Sequence, residues 1–248
     1  MTQQTSDDGV LGGRLLLRQP LRGHRVGHDA ILLAATTGGK AGEHAIEFGA
    51  GVGAAGLALA RRVPGLDVTL VEIDPELCAL AVHNARQNKL ADHVRVVCAD
   101  VEQFAAVADD ADRVLMNPPF NDPARHNISP DPKRRRAHVA DAGLLPRWIA
   151  AAERVLRDEG VLTLIWRADD LEAALAALQP AFGQVALLPV LPRQDAPAIR
   201  VLIRAVKGAQ WNQIHFESLV LNDPANRPTR EAEAILREAQ ALPLALLD

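Results

Sequence analysis

The run Ala45-Ile46-Glu47-Phe48-Gly49-Ala50-Gly51-Val52-Gly53-Ala54-Ala55-Gly56 constrains the fold more than any other part of the chain. A short apolar segment bounded by glycines reads as a buried strand, and the Ala/Leu-rich stretch that continues to Arg62 reads as a helix. A strand that turns through glycines into a helix opens a unit in which parallel strands alternate with covering helices. The middle of the chain repeats the unit. Val68-Thr69-Leu70-Val71, Val94 to Cys98 and Arg113 to Met116 read as the second, third and fourth strands. Pro75 opens a helix through Asn88, since proline suits a helical first turn. Asp141 is expected to cap a helix running to about Arg157, with Val161 to Trp166 as a fifth strand. Gln184 to Leu188 and Ile199 to Val206 have too little chain between them for a parallel crossover, so they are expected to be antiparallel neighbours. The fold class is α/β, a mostly parallel sheet with an antiparallel terminal strand.

The flanks read less clearly. Leu15-Leu16-Leu17 and Gly23-His24-Arg25-Val26 read as a small strand pair, and Asp29 as the cap of a short apolar helix, Ala30 to Ala35. Beyond the core, Ile214 to Leu221 alternates like an edge strand, and Thr229 begins an amphipathic helix. The expected organisation is an N-terminal strand pair and cap helix over 1–38, a core over 39–208, and an edge strand with a helix over 209–248. The longest stretch without periodicity, Pro118 to Ala140, is long enough to be functional or disordered. Met1 to Gly9 is polar and acidic, unlike a signal peptide, and no apolar run approaches a bilayer span. A cytoplasmic protein with no membrane association is expected. Cys78 and Cys98 make neither a disulfide framework nor a CxxC pair, so a reducing compartment and no metal are expected.

The glycine turn has two readings. Gly51-Val52-Gly53-Ala54-Ala55-Gly56 satisfies the dinucleotide fingerprint, with Glu72 about 20 residues on as a ribose acid. That keeps a dehydrogenase in contention. However, Glu47 at the end of the first strand has the wrong charge for a pyrophosphate and suits a cationic ligand. S-adenosylmethionine has no phosphate and carries a sulfonium and an ammonium. On this reading Gly49, Gly51 and Gly53 let the backbone approach the ligand, and Glu72 accepts from two ribose hydroxyls. Asp100, at the end of the third strand, is placed to accept from an adenine amino group. Asp74 is better explained as the cap of the helix opened by Pro75, and Gly56 as much by close helix packing as by ligand contact. Asp29 could orient the amino-acid end of the cofactor or cap its helix.

The fourth strand ends in Met116-Asn117-Pro118-Pro119-Phe120. Two prolines directly after a buried strand donate no ladder hydrogen bonds, so acceptors remain pointing outward. The side-chain oxygen of Asn117 and the carbonyl of Pro118 can both accept from one planar NH2 group. Pulling those hydrogens toward tetrahedral geometry localises the nitrogen lone pair toward an electrophilic methyl. Phe120 offers a face on which an extruded base can stack.

In the order of these elements the chain resembles the class I S-adenosylmethionine-dependent methyltransferases, specifically the amino-methylating branch. The run Gln19 to Ala34 is similar to the opening of the bacterial tRNA(Val) adenine-N6 methyltransferase family, and the resemblance spans about Gly13 to Gly208. It implies a Rossmann-like core with an N-terminal cap and a target amine held by Asn117, Pro118, Pro119 and Phe120. It further implies that the strand-end acids Glu47, Glu72 and Asp100 hold S-adenosylmethionine, with S-adenosylhomocysteine as product. Phe120 stands where tyrosine is common among adenine-N6 enzymes, and phenylalanine is also frequent in guanine-N2 enzymes. The alternatives are therefore an rRNA guanine-N2 or a protein-glutamine N5 methyltransferase, a small-molecule O-methyltransferase, or a cofactor-binding RNA protein without turnover.

The chain has 27 Lys+Arg against 31 Asp+Glu, a net charge of −4, which excludes a uniformly basic nucleic-acid binder. Distribution matters more. Asn121 to His138 carries Arg125, Lys133, Arg134, Arg135 and Arg136 against Asp122 and Asp131, net +3. Arg14 to His28 carries Arg14, Arg18, Arg22 and Arg25 with no acid, net +4. If both flank the amine site they form a basic collar for RNA phosphates, tRNA being the expected partner. Only four of the basic residues are lysine, however, and abundant arginine with abundant alanine is also what a GC-rich genome produces.

Overall fold

A computed structural model describes residues 4–22, 25–108, 110–119 and 143–247. Near the N-terminus β1 (Thr5–Val10) and β2 (Leu15–Pro20) pair antiparallel, with Val10 opposite Leu15 and Thr5 opposite Pro20. This corrects the expected partner of Leu15 to Leu17, which is the acidic segment Thr5–Val10. The reversal runs through Gly12 and Gly13, both at positive φ, where side chains are disfavoured. Cross-strand charge then holds a segment of poor strand propensity, because Arg18 pairs with Asp7 at 2.9 Å. Leu15 and Leu17 are fully buried while Leu16 is 49 % exposed, the period-two signature of a half-buried strand. Leu15 and Leu17 each contribute about 1.5–3 kcal/mol by burial.

Helix α1 (His28–Thr36) follows, beginning after Gly27 with no side-chain cap bond, so Asp29 lies in the first turn and is not the cap. The large sheet is then built from β3 (His44–Phe48), β4 (Asp67–Glu72), β5 (Val94–Cys98), β6 (Ala111–Met116) and β7 (Leu156–Arg167). It continues with β8 (Phe182–Arg193), β9 (Arg200–Lys207), β10 (Gln213–His215) and β11 (Leu219–Asn222). Its order is β10-β8-β9-β7-β6-β3-β4-β5, and β11 also pairs with β8. Strands β3 to β7 are mutually parallel where they pair. Strand β9 runs antiparallel to β8, as the short connection requires, and also to β7. The edge predicted as one strand is two, β10 and β11, each parallel to β8.

Helices cover both faces, so the strands are apolar on both sides. On one face lie α1, α2 (Ala54–Arg62), α3 (Pro75–Gln87) and the C-terminal α7 (Arg230–Glu238), packed with the hairpin on Leu70, Leu115 and Leu202. On the other lie α4 (Val101–Ala105), α5 (Leu144–Val155) and α6 (Leu171–Leu178), packed on Phe48, Met116 and Ile203. Leu115 and Met116 thus serve opposite cores. Asp74 caps α3 by accepting from the backbone N–H of Glu76 and Leu77, with Pro75 next, as expected. Thr229 caps α7 in the same way through Ala232. The residue before α5 is Gly143 and makes no side-chain cap. Asp141, the expected cap, lies outside the described residues.

Among the described residues no helix is long and apolar enough to cross a membrane.

Candidate active site

The parallel register brings the predicted residues to one edge of the sheet. Phe48 is level with Val71 on one side and Met116 on the other, and Glu72 is level with Cys98. Glu47, Glu72, Asp100 and Asn117 therefore converge at the carboxyl ends of four adjacent strands. Strand β3 has β4 on one side and β6 on the other, so the chain order reverses there and leaves a crevice between neighbouring loops.

The turn itself is held open by backbone conformation. Gly49, Gly51 and Gly53 have φ of +66°, +57° and +86°. A Cβ on Gly49 would lie 2.6 Å from Trp148 Cη2, and one on Gly53 2.8 Å from Leu70 Cδ1, so both glycines also serve packing. A Cβ on Gly51 would meet nothing within 4 Å. The open face of the turn is at Gly51.

Glu72 fastens that turn. Its Oε2 accepts from Gly51 N–H at 2.7 Å, and its Oε1 accepts from Ile73 and Asp74 N–H at 2.9 Å each. A carboxylate has about four acceptor positions, so capacity remains on Oε2 for a ribose hydroxyl. Asp100 caps α4 through one oxygen, accepting from Glu102 and Gln103 N–H, which leaves Oδ2 with no hydrogen bond among the described residues. The two readings weighed for Asp100 are thus compatible.

Glu47 is different from expectation. It is 5 % exposed, and its Oε2 accepts from Gly56 N–H at 2.7 Å. A Cβ on Gly56 would lie 2.4 Å from Leu70 Cδ2 and 2.7 Å from Glu47 Oε2, so Gly56 is a packing residue. Burial pushes the Glu47 carboxyl up to about 8, the Gly56 hydrogen bond opposing it only partly. Burial therefore opposes the negative charge that the sequence reading placed at this strand end. The folded state holds this proton more tightly than the unfolded chain does. Its contribution to stability is intact below about pH 4.5 and declines, by up to about 1.4 kcal/mol per pH unit, as pH rises toward 8. Urea midpoints of Glu47→Gln are expected to fall less between pH 5 and 8 than those of the wild type. Parallel pH profiles would show that Glu47 is ionised in the fold.

Asn117 directly follows β6, with Pro118 buried and Pro119 exposed. Its Oδ1 is sealed from solvent and has no hydrogen-bond partner among the described residues. Leaving a buried acceptor unmade costs about 1–3 kcal/mol. An amine N–H is the complement of such an atom. Phe120 lies outside the described residues, as do Arg125, Lys133, Arg134, Arg135 and Arg136.

Asp29 pairs with Arg200 at 3.0 Å, joining α1 to the start of β9, where Arg200 lies opposite Arg167 at the carboxyl end of β7. The N-terminal half of the basic collar is also largely engaged. Arg18 pairs with Asp7, Arg25 pairs with Asp8 at 2.7 Å, and Arg14 Nη1 donates to Glu238 O at 2.6 Å. Counting acids by sequence window missed Asp7 and Asp8, which reach this segment across the hairpin.

Three residues near the site were not singled out from the sequence. Trp148 packs edge-on against Phe48, with ring centroids 6.3 Å apart and planes at 79°. Ile73, between Glu72 and Asp74, is 65 % exposed and offers an apolar face beside the ribose acid. An isoleucine between two strand-end acids was the available signal. Asn84 reaches the turn from α3 and donates to Val52 O at 3.0 Å. No local pattern marks it.

The profile of the methyltransferase small domain matches residues 25–190, more than half of the chain. The chain belongs to the methyltransferase small domain family. This methyltransferase is 28 % identical over 186 residues to a tRNA1(Val) (adenine(37)-N6)-methyltransferase of Porphyromonas gingivalis, covering 71 % of this chain and 72 % of that one. It is 26 % identical over 221 residues to the enzyme of the same name from Dickeya chrysanthemi, covering 86 % and 87 %. Among solved structures it superposes on a predicted O-methyltransferase of Agrobacterium tumefaciens with a TM-score of 0.70. That pair shares 26 % identity and covers 86 % of this chain and 97 % of the other. The fold is the Rossmann-like methyltransferase fold, and the enzyme is a methyltransferase that uses S-adenosylmethionine. The names of these relatives disagree on the acceptor atom, so the acceptor must be argued from the site.

Proposed function

We propose that this methyltransferase modifies an exocyclic amine, and that its substrate is adenine N6 in tRNA. The observation that carries the reading is the buried Oδ1 of Asn117 at the end of β6, which has no hydrogen-bond partner among the described residues. An amide oxygen accepts and does not donate, so its complement is an N–H or O–H donor. A phenol or alcohol acceptor needs its single proton removed, whereas an amine presents two and can keep one on the acceptor while it reacts. Prolines at 118 and 119 hold the following backbone with no N–H to compete for the same oxygen.

S-adenosylmethionine supplies the electrophilic methyl when bound. The residues of this chain bind and orient. Glu72 holds Gly51 and so the open face of the turn, with acceptor capacity left for ribose. Asp100 keeps Oδ2 for an adenine amino group, and Ile73 offers an apolar face to a flat ring. Asn117 and the Pro118 carbonyl align the amine and stabilise the positive charge that develops on its nitrogen. The rate advantage is then orientation and electrostatic preorganisation, with no nucleophilic side chain required.

The choice of tRNA is supported by the names of the relatives and by the basic residues of 121–138, since the described arginines of the hairpin are mostly paired. The test is incorporation of labelled methyl from S-adenosylmethionine into total tRNA, run beside purified release-factor protein. Labelled tRNA is the expected result. Label in the protein alone would move the acceptor to a glutamine side chain.

A further inference from the structure

Helix α3 and its C-cap residue Asn88 present three amide side chains to the N-terminal hairpin, and their spacing matches that of the strand they face. Asn84 and Asn88 are four residues apart on the helix, a rise of about 6 Å, while Leu16 and Arg18 are two apart on β2, a rise of about 6.6 Å. Each asparagine can therefore serve one strand residue. Asn88 accepts from Leu16 N–H at 3.0 Å and donates to Leu16 O at 2.7 Å, with Gln87 donating to the same carbonyl at 2.7 Å. Asn84 accepts from Arg18 N–H at 2.7 Å and donates to Arg18 O at 3.1 Å. The helix thus takes the place of a further strand on the edge of β2 that β1 leaves open.

Only Asn84 also faces the other way. Its amide nitrogen donates to Val52 O at 3.0 Å, inside the glycine turn, and the residue is fully buried. Val52 follows Gly51, whose N–H is held by Glu72. A shift of the turn therefore moves the acceptor of one Asn84 N–H, and a shift of the hairpin moves the partners of the rest.

We propose that Asn84 is a positioning residue that couples the N-terminal hairpin to the glycine turn, so that cofactor binding and hairpin docking strengthen each other. The inference rests on the glycine turn being the cofactor site. It also gives the hairpin a role besides charge. Such coupling is reciprocal: whatever docks on the hairpin tightens the cofactor by the same factor. A ligand can shift the hairpin only through differential interaction with its docked and undocked states. The Val52–Asn84–Arg18 connection supplies that difference.

Hydrogen exchange of the full chain, with and without S-adenosylhomocysteine, tests this in the wild type, Asn84→Ala and Asn88→Ala. In the wild type the ligand is expected to slow exchange across both 49–56 and 15–20, the latter by about fivefold or more, the lower range of typical coupling. Asn84→Ala is expected to bind S-adenosylhomocysteine about tenfold more weakly, and its hairpin no longer responds when ligand is raised to saturation. Asn88→Ala loosens the hairpin without ligand but keeps its affinity within about twofold, because Asn88 makes no bond to the turn. A merely structural asparagine would make the two variants alike. If the ligand protects 49–56 but leaves 15–20 unchanged in the wild type, the coupling is wrong while the cofactor placement stands. If neither segment responds to bound ligand, the placement and the inference fail together. Should Asn84→Ala not fold, the wild-type comparison decides alone; if it folds and its hairpin still responds, Asn84 is not the link.

Discussion

Asn117→Ala is expected to lower methyl transfer by on the order of 10²–10³-fold while leaving S-adenosylhomocysteine affinity within about a factor of two. The expectation follows from position. The Asn117 side chain belongs to the β6 end of the crevice, and its Oδ1 makes no hydrogen bond among the described residues to the turn that Glu72 holds. Its removal deletes an acceptor needed when charge builds on the amine, so the loss belongs in kcat. Asn117→Asp keeps an acceptor oxygen at the same reach and should retain more activity than the alanine variant. Because Oδ1 has no protein partner to lose among the described residues, stability should change little or rise. A rate near wild type for Asn117→Ala would remove the amine-binding role, and a matching loss of cofactor affinity would relocate it to the cofactor site.

Glu72→Ala is expected to act in the opposite sense. It removes the acceptor of three backbone N–H groups, those of Gly51, Ile73 and Asp74, as well as the carboxylate proposed to accept from ribose. Hydrogen bonds to a charged group are worth about 1.5–3 kcal/mol each, so cofactor affinity should fall by on the order of 10²-fold. Part of that loss is indirect, because the released turn no longer presents Gly51. Glu72→Gln separates the contributions: its amide oxygen can still accept from one side of the turn, but its NH2 then faces a backbone N–H on the other, donor against donor. Titration calorimetry with S-adenosylhomocysteine should rank wild type above Gln and Gln above Ala. Equal affinities for all three would mean that neither the carboxylate nor its bracing of the turn contributes to cofactor binding.

Much of this site was readable because its residues sit where local patterns are strongest. Strand ends marked by Glu72, Asp100 and Asn117 follow apolar runs whose parallel pairing is forced by the intervening helices, and β3 to β6 begin or end within a residue or two of their sequence-read bounds. Asp74 with Pro75, and Thr229, were recognisable as caps because capping is a contact between residues two or three apart. The misread features depend on distant partners. The acidic segment Thr5–Val10 has little intrinsic reason to be a strand, and becomes one through Leu15 to Pro20 and the Arg18–Asp7 pair. Arg25 and Arg18 look free in a sequence window and are neutralised across the hairpin. Glu47 was rightly put at the strand end, yet its ionisation depends on how α2 closes over it. Asn84 sits on a helix whose polar residues would ordinarily be read as a solvated face, and only the packed hairpin shows that it is buried.

The amine proposed to meet Asn117 is adenine N6 of a tRNA. Nucleoside analysis of tRNA after reaction with the purified protein and S-adenosylmethionine tests it most directly. N6-methyladenosine that is formed by the wild type and lost in Asn117→Ala is the predicted result. N2-methylguanosine, a ribose-methylated nucleoside, or no modified nucleoside at all would contradict it.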